Sequence, residues 1–393
     1  MDWLRVNPLL SFKTMYHFRL KNALTILILF VLTACGSSGS DPEPIVDPLD
    51  RAPMLTHWVD NIILPSYDKF KVKWDAFASA SAAFTAAPSE TSLGTLRQTW
   101  VDAYVSWAAV ELFEVGPADK YTIRSFFNIY PADENGIKQN FSNPDANLGL
   151  PASYAQQGFP ALDYLINGIA DSAEGIVGLY TTDPGAAGRV AYLKKLTDRM
   201  TTLLGSVISE WNGGYRETFI SKTGLDIGSP TALMVNNYVL HYERFIRSGK
   251  FGIPSGAMAA SGGVKYPEKV EAYYKRDISL TLAKICHQTS VDFFNGKNVK
   301  TGESGPSFKS YLDALEAKDN TSGVLLSEII NTQFGVVVSK LNGLTENLYQ
   351  QVQTNNQPMI DTYTEMQKMV RMLKVDMTSA MSVTITYTDN DGD

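Results

Sequence analysis

The side chains able to do chemistry are few. Beyond residue 35 the 393-residue chain holds three histidines, His57, His241 and His287, and one cysteine, Cys286. Cys286 and His287 are neighbours in the helix-like run Leu280–His287. Adjacent residues on a helix point about 100° apart, so the two do not form a thiolate–imidazole dyad, and Cys286 reads as a small buried hydrophobe. His241 and Glu243 are two residues apart, on different faces of a helix, and are no metal pair. The chain contains no His-Glu-x-x-His motif. The three histidines therefore read as structural or surface residues. Glu111 stands out because Trp107, Ala108, Val110 and Phe113 surround it; it reads either as an inward-facing carboxylate or as a solvated acid at the helix end. A buried carboxylate requires a partner, and Arg124 and Lys250 are the candidates. The terminal Asp389-Asn390-Asp391-Gly392-Asp393 has the oxygen density of a calcium loop but lacks the distal bidentate Glu, so it reads as a solvated acidic tail, with a weak calcium site as the alternative.

The elements that must position these residues begin after an export signal. Arg5, Lys13, Arg19 and Lys21 precede the apolar run from Ala23 to Leu32, broken only by Thr25. That pattern is a signal peptide, too short to span a bilayer comfortably. The run ends Leu32-Thr33-Ala34-Cys35-Gly36, similar to the lipobox at which bacterial lipoproteins are acylated and cut, and Met15 is a second possible start. Residues 1–34 are read as signal and residues 35–50 as a lipid-anchored tether. Removing the signal leaves 34 − 4 = 30 basic and 41 − 1 = 40 acidic groups, a net charge of −10. That balance argues against nucleic acid and against a polybasic membrane-binding surface; attachment to the membrane is expected through lipid at Cys35. One remaining cysteine cannot form an internal disulfide.

Past the tether the pattern is helical. Helices are expected over 55–83, with Pro65 as a kink, over 92–114, over 158–168 opened by Pro160, and over 183–211. Helices over 231–248, 267–294, 307–315, 325–353 and 358–381 follow, with a glycine-rich loop at 249–263. Only Ser382–Thr388 alternates like a strand. The expected architecture is all-α: two helical bundles of the four-helix type side by side, residues 51–215 and 229–381, followed by an extended acidic tail, 382–393.

Several segments resemble the imelysin (insulin-cleaving membrane peptidase) family, in the lipoprotein form found in Bacteroidetes. They are Ile63-Leu64-Pro65-Ser66-Tyr67, Leu96–Trp100 continuing to Trp107, Glu111 and Phe113 before Gly116-Pro117, Gly158-Phe159-Pro160-Ala161-Leu162-Asp163-Tyr164-Leu165, Val235-Asn236 leading to Glu243, Gly249–Pro254, Ser307–Leu312, and Thr388–Asp393. Their order spans nearly all of the chain beyond the signal. The family signature is Gly-x-His-x-x-Glu, whose His and Glu share one helix face and can both reach a metal. Here Pro160 stands at the His position and Asp163 at the Glu position. Proline has no ligand atom, so peptidase chemistry resting on that pair is not expected. Asp163 keeps a carboxylate that either ligates a metal or stabilises the helix N-terminus.

The resemblance implies a cell-envelope, outer-membrane lipoprotein, facing the periplasm or the exterior, with a role linked to iron acquisition and iron-uptake proteins as partners. The expected mode is non-catalytic binding of a small ligand, or of a divalent metal (iron, zinc or calcium), in a cleft near Glu111, Pro160, Asp163, Tyr164, Arg124 and Lys250, with Asp163 and Glu111 as metal ligands. Tyr164, like Trp100 and Trp107, reads as a core aromatic before it reads as part of a ligand cage. The rival readings are a metallopeptidase and a partner-binding surface lipoprotein without a small ligand.

Overall fold

The computed structural model describes residues 49–388. The expected signal, Cys35 and the acidic residues 389–393 lie outside them. Residues 50–388 form one compact helical unit. Among the described residues, extended pairing is limited to two isolated bridges, Lys297 with Ser304 and Lys318 with Leu325. The chain is thus all-α, and no described helix is long and apolar enough to cross a membrane.

The helices that build the core are α1 (Leu64–Ala86), α2 (Glu90–Ala108), α3 (Gly158–Asp163), α4 (Ala186–Glu210), α5 (Pro230–Leu240), α6 (Ser279–Phe294), α7 (Leu326–Asn342) and α8 (Gln357–Arg371). α1 and α2 form a tight helical hairpin, and α4 packs on α1. α2 also meets α6, so helices from the two expected bundles touch directly. α2 begins on a reciprocal cap: Ser89 Oγ accepts from Ser92 N–H at 3.1 Å, and Ser92 Oγ accepts from Ser89 N–H at 3.0 Å. Its apolar face, Leu93, Leu96, Trp100, Ala103, Tyr104 and Trp107, is buried throughout. The rings of Phe70 and Trp74 from α1, Trp107 from α2, Phe127, and Phe159 from α3 interlock, with Phe70–Trp107 centroids 5.4 Å apart and Trp107–Phe127 centroids 4.9 Å apart.

Pro65, expected as a kink, and Pro254, in the expected loop, both follow π-helical turns. Trp58–Ile63 is π-helical, and Leu64 N–H reaches back five residues to the carbonyl of Val59. Pro65 has no N–H, and the Asn61 carbonyl accepts instead from Val299 N–H at 2.9 Å. His241–Gly252 is a longer π-helical segment that continues α5 and delivers Ile253 N–H to Ser248 O, ahead of Pro254. The expected loop therefore begins later than residue 249. Its glycines permit close packing: a Cβ on Gly252 would come within 2.7 Å of the Tyr363 ring.

Two further expectations are corrected. The helix expected over 267–294 starts only at Ser279; residues 270–278 are turns, with Ala272 at φ 55° and Arg276 at φ 61°. Tertiary hydrogen bonds to this stretch, described below, outweigh its helical propensity. Ser382–Thr388 forms no strand, because no neighbouring strand offers a ladder. The Asn236 side chain donates to Thr384 O and accepts from Thr386 N–H in its place.

Phe70 is fully buried among four aromatic rings. Phe70→Ala is expected to remove about 3–5 kcal/mol of stability. Urea unfolding should show this as a lower midpoint at unchanged slope; a loss below about 1 kcal/mol would mean the ring cluster can collapse around the void.

Candidate functional site

Where α2 ends at Ala108, tight turns carry the chain through Glu111. Arg124 fixes this corner: its Nε and Nη2 donate to the Glu111 carbonyl at 3.0 and 2.8 Å. Arg124 also pairs with Glu114 at 3.0 Å and donates to Asn237 Oδ1 at 2.9 Å. Asn237 returns a hydrogen bond from its Nδ2 to the carbonyl of Leu112. With its backbone held on both sides, Glu111 projects its carboxylate into the interior, where it is 2% exposed.

Three elements converge on that carboxylate. The π-helical segment supplies His241 and Lys250, α6 supplies Cys286, and Asn128 follows the short helix Ile123–Phe127. Lys250 Nζ lies 3.7 Å from Glu111 Oε2 and 2.5 Å from Glu271 Oε2. Asn128 Nδ2 donates to Glu111 Oε1 at 3.2 Å and to Glu271 Oε1 at 2.8 Å. The Tyr104 hydroxyl lies 2.6 Å from Asn128 Oδ1 and 3.2 Å from Glu271 Oε1. The Cys286 thiol is 3.4 Å from both the Ala108 carbonyl and Glu111 Oε2. His241 Nε2 is 3.8 Å from Glu111 Oε2, beyond hydrogen-bond reach, and neither ring nitrogen has a hydrogen-bond partner among the described residues.

Burial and charge oppose each other here. Burial would raise the Glu111 carboxyl, but Lys250, His241 and Arg124 outweigh it and hold the group well below the usual range. Burial would lower the Lys250 ammonium, but the surrounding acidic groups keep it protonated and well above its usual value. Burial brings His241 down to about 4 and pushes the Cys286 thiol up. At neutral pH Glu111 is therefore a carboxylate and Lys250 an ammonium, beside a neutral imidazole and a thiol.

Asp163 is built into the support of this cluster. Its Oδ2 accepts from Tyr274 N–H at 3.0 Å, and its Oδ1 accepts from Lys275 N–H at 3.1 Å and from Asn167 Nδ2 at 3.0 Å. Burial pushes its carboxyl up to about 7, against these donors. The anchored turn is the one that presents Glu271 to Lys250. α3 contributes a second support, since the Phe159 ring stacks on Tyr104 at 4.4 Å and 3°. Tyr164 packs on the same turn, 5.2 Å from the Tyr274 ring, and Pro160 is buried inside α3. Of the residues proposed from sequence, Glu111, Arg124 and Lys250 come together, while Pro160, Asp163 and Tyr164 stand behind them.

The group of described residues able to share a metal ion is Glu111, His241 and Cys286, whose ligand atoms all lie within 4.8 Å of one another. His241 and Cys286 were read from sequence as structural residues. Their signal was faint: a lone polar residue on the apolar face of α5 extended, and a cysteine on a core helix. Glu271, Asn128 and Tyr104 carried no sequence signal. His57 and His287 are structural, the first 2.8 Å from Gly296 O, the second between the Tyr242 hydroxyl at 3.0 Å and Phe334 O at 3.3 Å.

Residues 63–358 match the family model for imelysin. The chain belongs to the imelysin family. Two solved structures share its fold: an imelysin-like protein from Psychrobacter arcticum, 17% identical with a TM-score of 0.64 over 86% of this chain and 97% of that one, and a protein described as an iron-regulated protein A precursor from Parabacteroides distasonis, 18% identical with a TM-score of 0.65 over 83% and 95%. A curated relative, iron-regulated protein A of Synechococcus elongatus, is 24% identical over 179 residues, spanning 44% of this chain and 46% of that protein. The metal pair of the imelysin signature does not fit this chain. Pro160 offers no ligand atom, and both oxygens of Asp163 are taken by amide donors.

Lys250→Met is expected to cost about 3–5 kcal/mol, because it leaves two buried carboxylates without their cation. Adding Glu271→Gln removes one of those charges and should recover a substantial part of the loss in a double-mutant cycle of chemical denaturation. Strictly additive losses would mean that Lys250 and Glu271 are not coupled.

Proposed function

We propose that this imelysin-family protein is a cell-envelope lipoprotein, anchored through Cys35, that binds a ligand in its interior cluster instead of hydrolysing peptides, and that its work is tied to iron. The observation that carries this reading is the buried Glu111–Lys250–Glu271 cluster, assembled from distant segments, alongside a signature helix whose Asp163 is committed to backbone amides. The link to iron is supported by the names of the relatives from Synechococcus elongatus and Parabacteroides distasonis. Anchoring is supported by the lipobox-like Leu32–Gly36 and the Ser/Gly/Asp/Pro stretch that follows.

In a Gram-negative host, wild type should incorporate labelled fatty acid and fractionate with membranes, and Cys35→Ala should lose both properties. An unlabelled wild type would overturn the anchor. In the source organism the protein should rise in abundance under iron limitation, and its deletion should slow iron-limited growth more than iron-replete growth. Metal-dependent peptide cleavage by the purified protein, abolished in Asp163→Ala, would reverse the non-catalytic reading.

A further inference from the structure

We infer that Glu111, His241 and Cys286 form a buried three-donor site for a borderline divalent transition metal, iron(II) or zinc(II). This deepens the ligand-binding reading by naming what the same interior cluster takes.

Geometry comes first. Bonds of about 2.0–2.3 Å to a tetrahedral ion separate neighbouring donor atoms by roughly 3.3–3.8 Å. Glu111 Oε2 is 3.4 Å from Cys286 Sγ and 3.8 Å from His241 Nε2. His241 supplies an independent indication. It is fully buried, and neither ring nitrogen has a hydrogen-bond partner among the described residues. A buried imidazole left in that state is destabilising unless something else satisfies it.

Charge pairing points the same way. Lys250 is offset by Glu271 at 2.5 Å, and a divalent ion bound with loss of the thiol proton to solvent meets the Glu111 carboxylate and the Cys286 thiolate. The donor set of one imidazole, one thiolate and one carboxylate suits zinc(II) or iron(II) and excludes calcium, which takes six to eight oxygens. A cleft of about 280 Å³ is lined by Asn128, Tyr130, Phe245 and Gly249. Two of these lining residues touch the proposed ligands: Asn128 donates to Glu111, and the Phe245 ring stacks 6.1 Å from His241.

The test uses the full-length protein, purified in detergent under anaerobic, reducing conditions and titrated with cobalt(II), iron(II) and zinc(II). One equivalent should bind, cobalt(II) should show a thiolate charge-transfer band, and the metal should raise the melting temperature. Cys286→Ala should abolish the band. His241→Phe should weaken binding by more than about 100-fold, since even residues behind the ligands cost 10- to 100-fold. It should also raise the melting temperature of the metal-free protein by removing two unsatisfied nitrogens. If a variant fails to fold, the wild-type band and thermal shift decide. Absence of stoichiometric binding, or binding without the band and unchanged in both variants, overturns the site. An intact iron-limitation phenotype in that case would leave the envelope reading standing and sink the metal site alone.

Discussion

Lys250 lies between Glu111 and Glu271 in the buried interior, with Asn128, Tyr104, His241 and Cys286 beside them. Moving these three ions out of water is opposed by several kcal/mol per ion, and removal of one leaves the others uncompensated. The surrounding structure is therefore obliged to hold all three at once. Glu111 comes from the end of the α1–α2 hairpin, Lys250 from the π-helical continuation of α5, and Glu271 from the turns before α6. A shift of any one of these elements would expose a buried charge to an apolar wall, so the cluster fixes how the two halves of the chain meet.

Much of the neighbouring architecture serves this constraint. Arg124 holds the backbone of Glu111, Asp163 holds the amides of Tyr274 and Lys275, and Asn128 bridges both carboxylates. The π-helical segment has a complementary role. Its wider turns reset which residues face inward, so that both His241 and Lys250 reach the interior across a stretch where glycine and proline would suggest a loop. The positive φ values of Ala272 and Arg276 lie on the turn that Asp163 clamps, consistent with local strain held by tertiary hydrogen bonds.

Within the imelysin fold, the signature helix has a changed task in this chain. With proline at 160, the helix keeps its packing through Phe159 and its carboxylate through Asp163, and both support the cluster from behind. The donor atoms that do converge sit elsewhere, on the turns after α2, on the extended α5 and on α6. A fold can thus retain a motif's position while the chemistry that the motif names is displaced to other residues.

Periodicity alone determined the helical class and the apolar faces of α1, α2 and α4, because a 3.6-residue repeat is a local property of the chain. An inward Glu111 with Arg124 or Lys250 as its partner was one of two readings that the sequence offered, the other being a solvated acid at the helix end, because local neighbours alone do not decide which way a carboxylate at a helix terminus points. Other features depended on contacts between residues more than a hundred positions apart. The helix expected from 267 lost its first turns to Asp163, and a lone histidine on an apolar face acquired significance only once Glu111 and Cys286 stood beside it. No spacing rule relates positions 111, 241 and 286; the packing of α2, α5 and α6 around a buried charge decided that they meet.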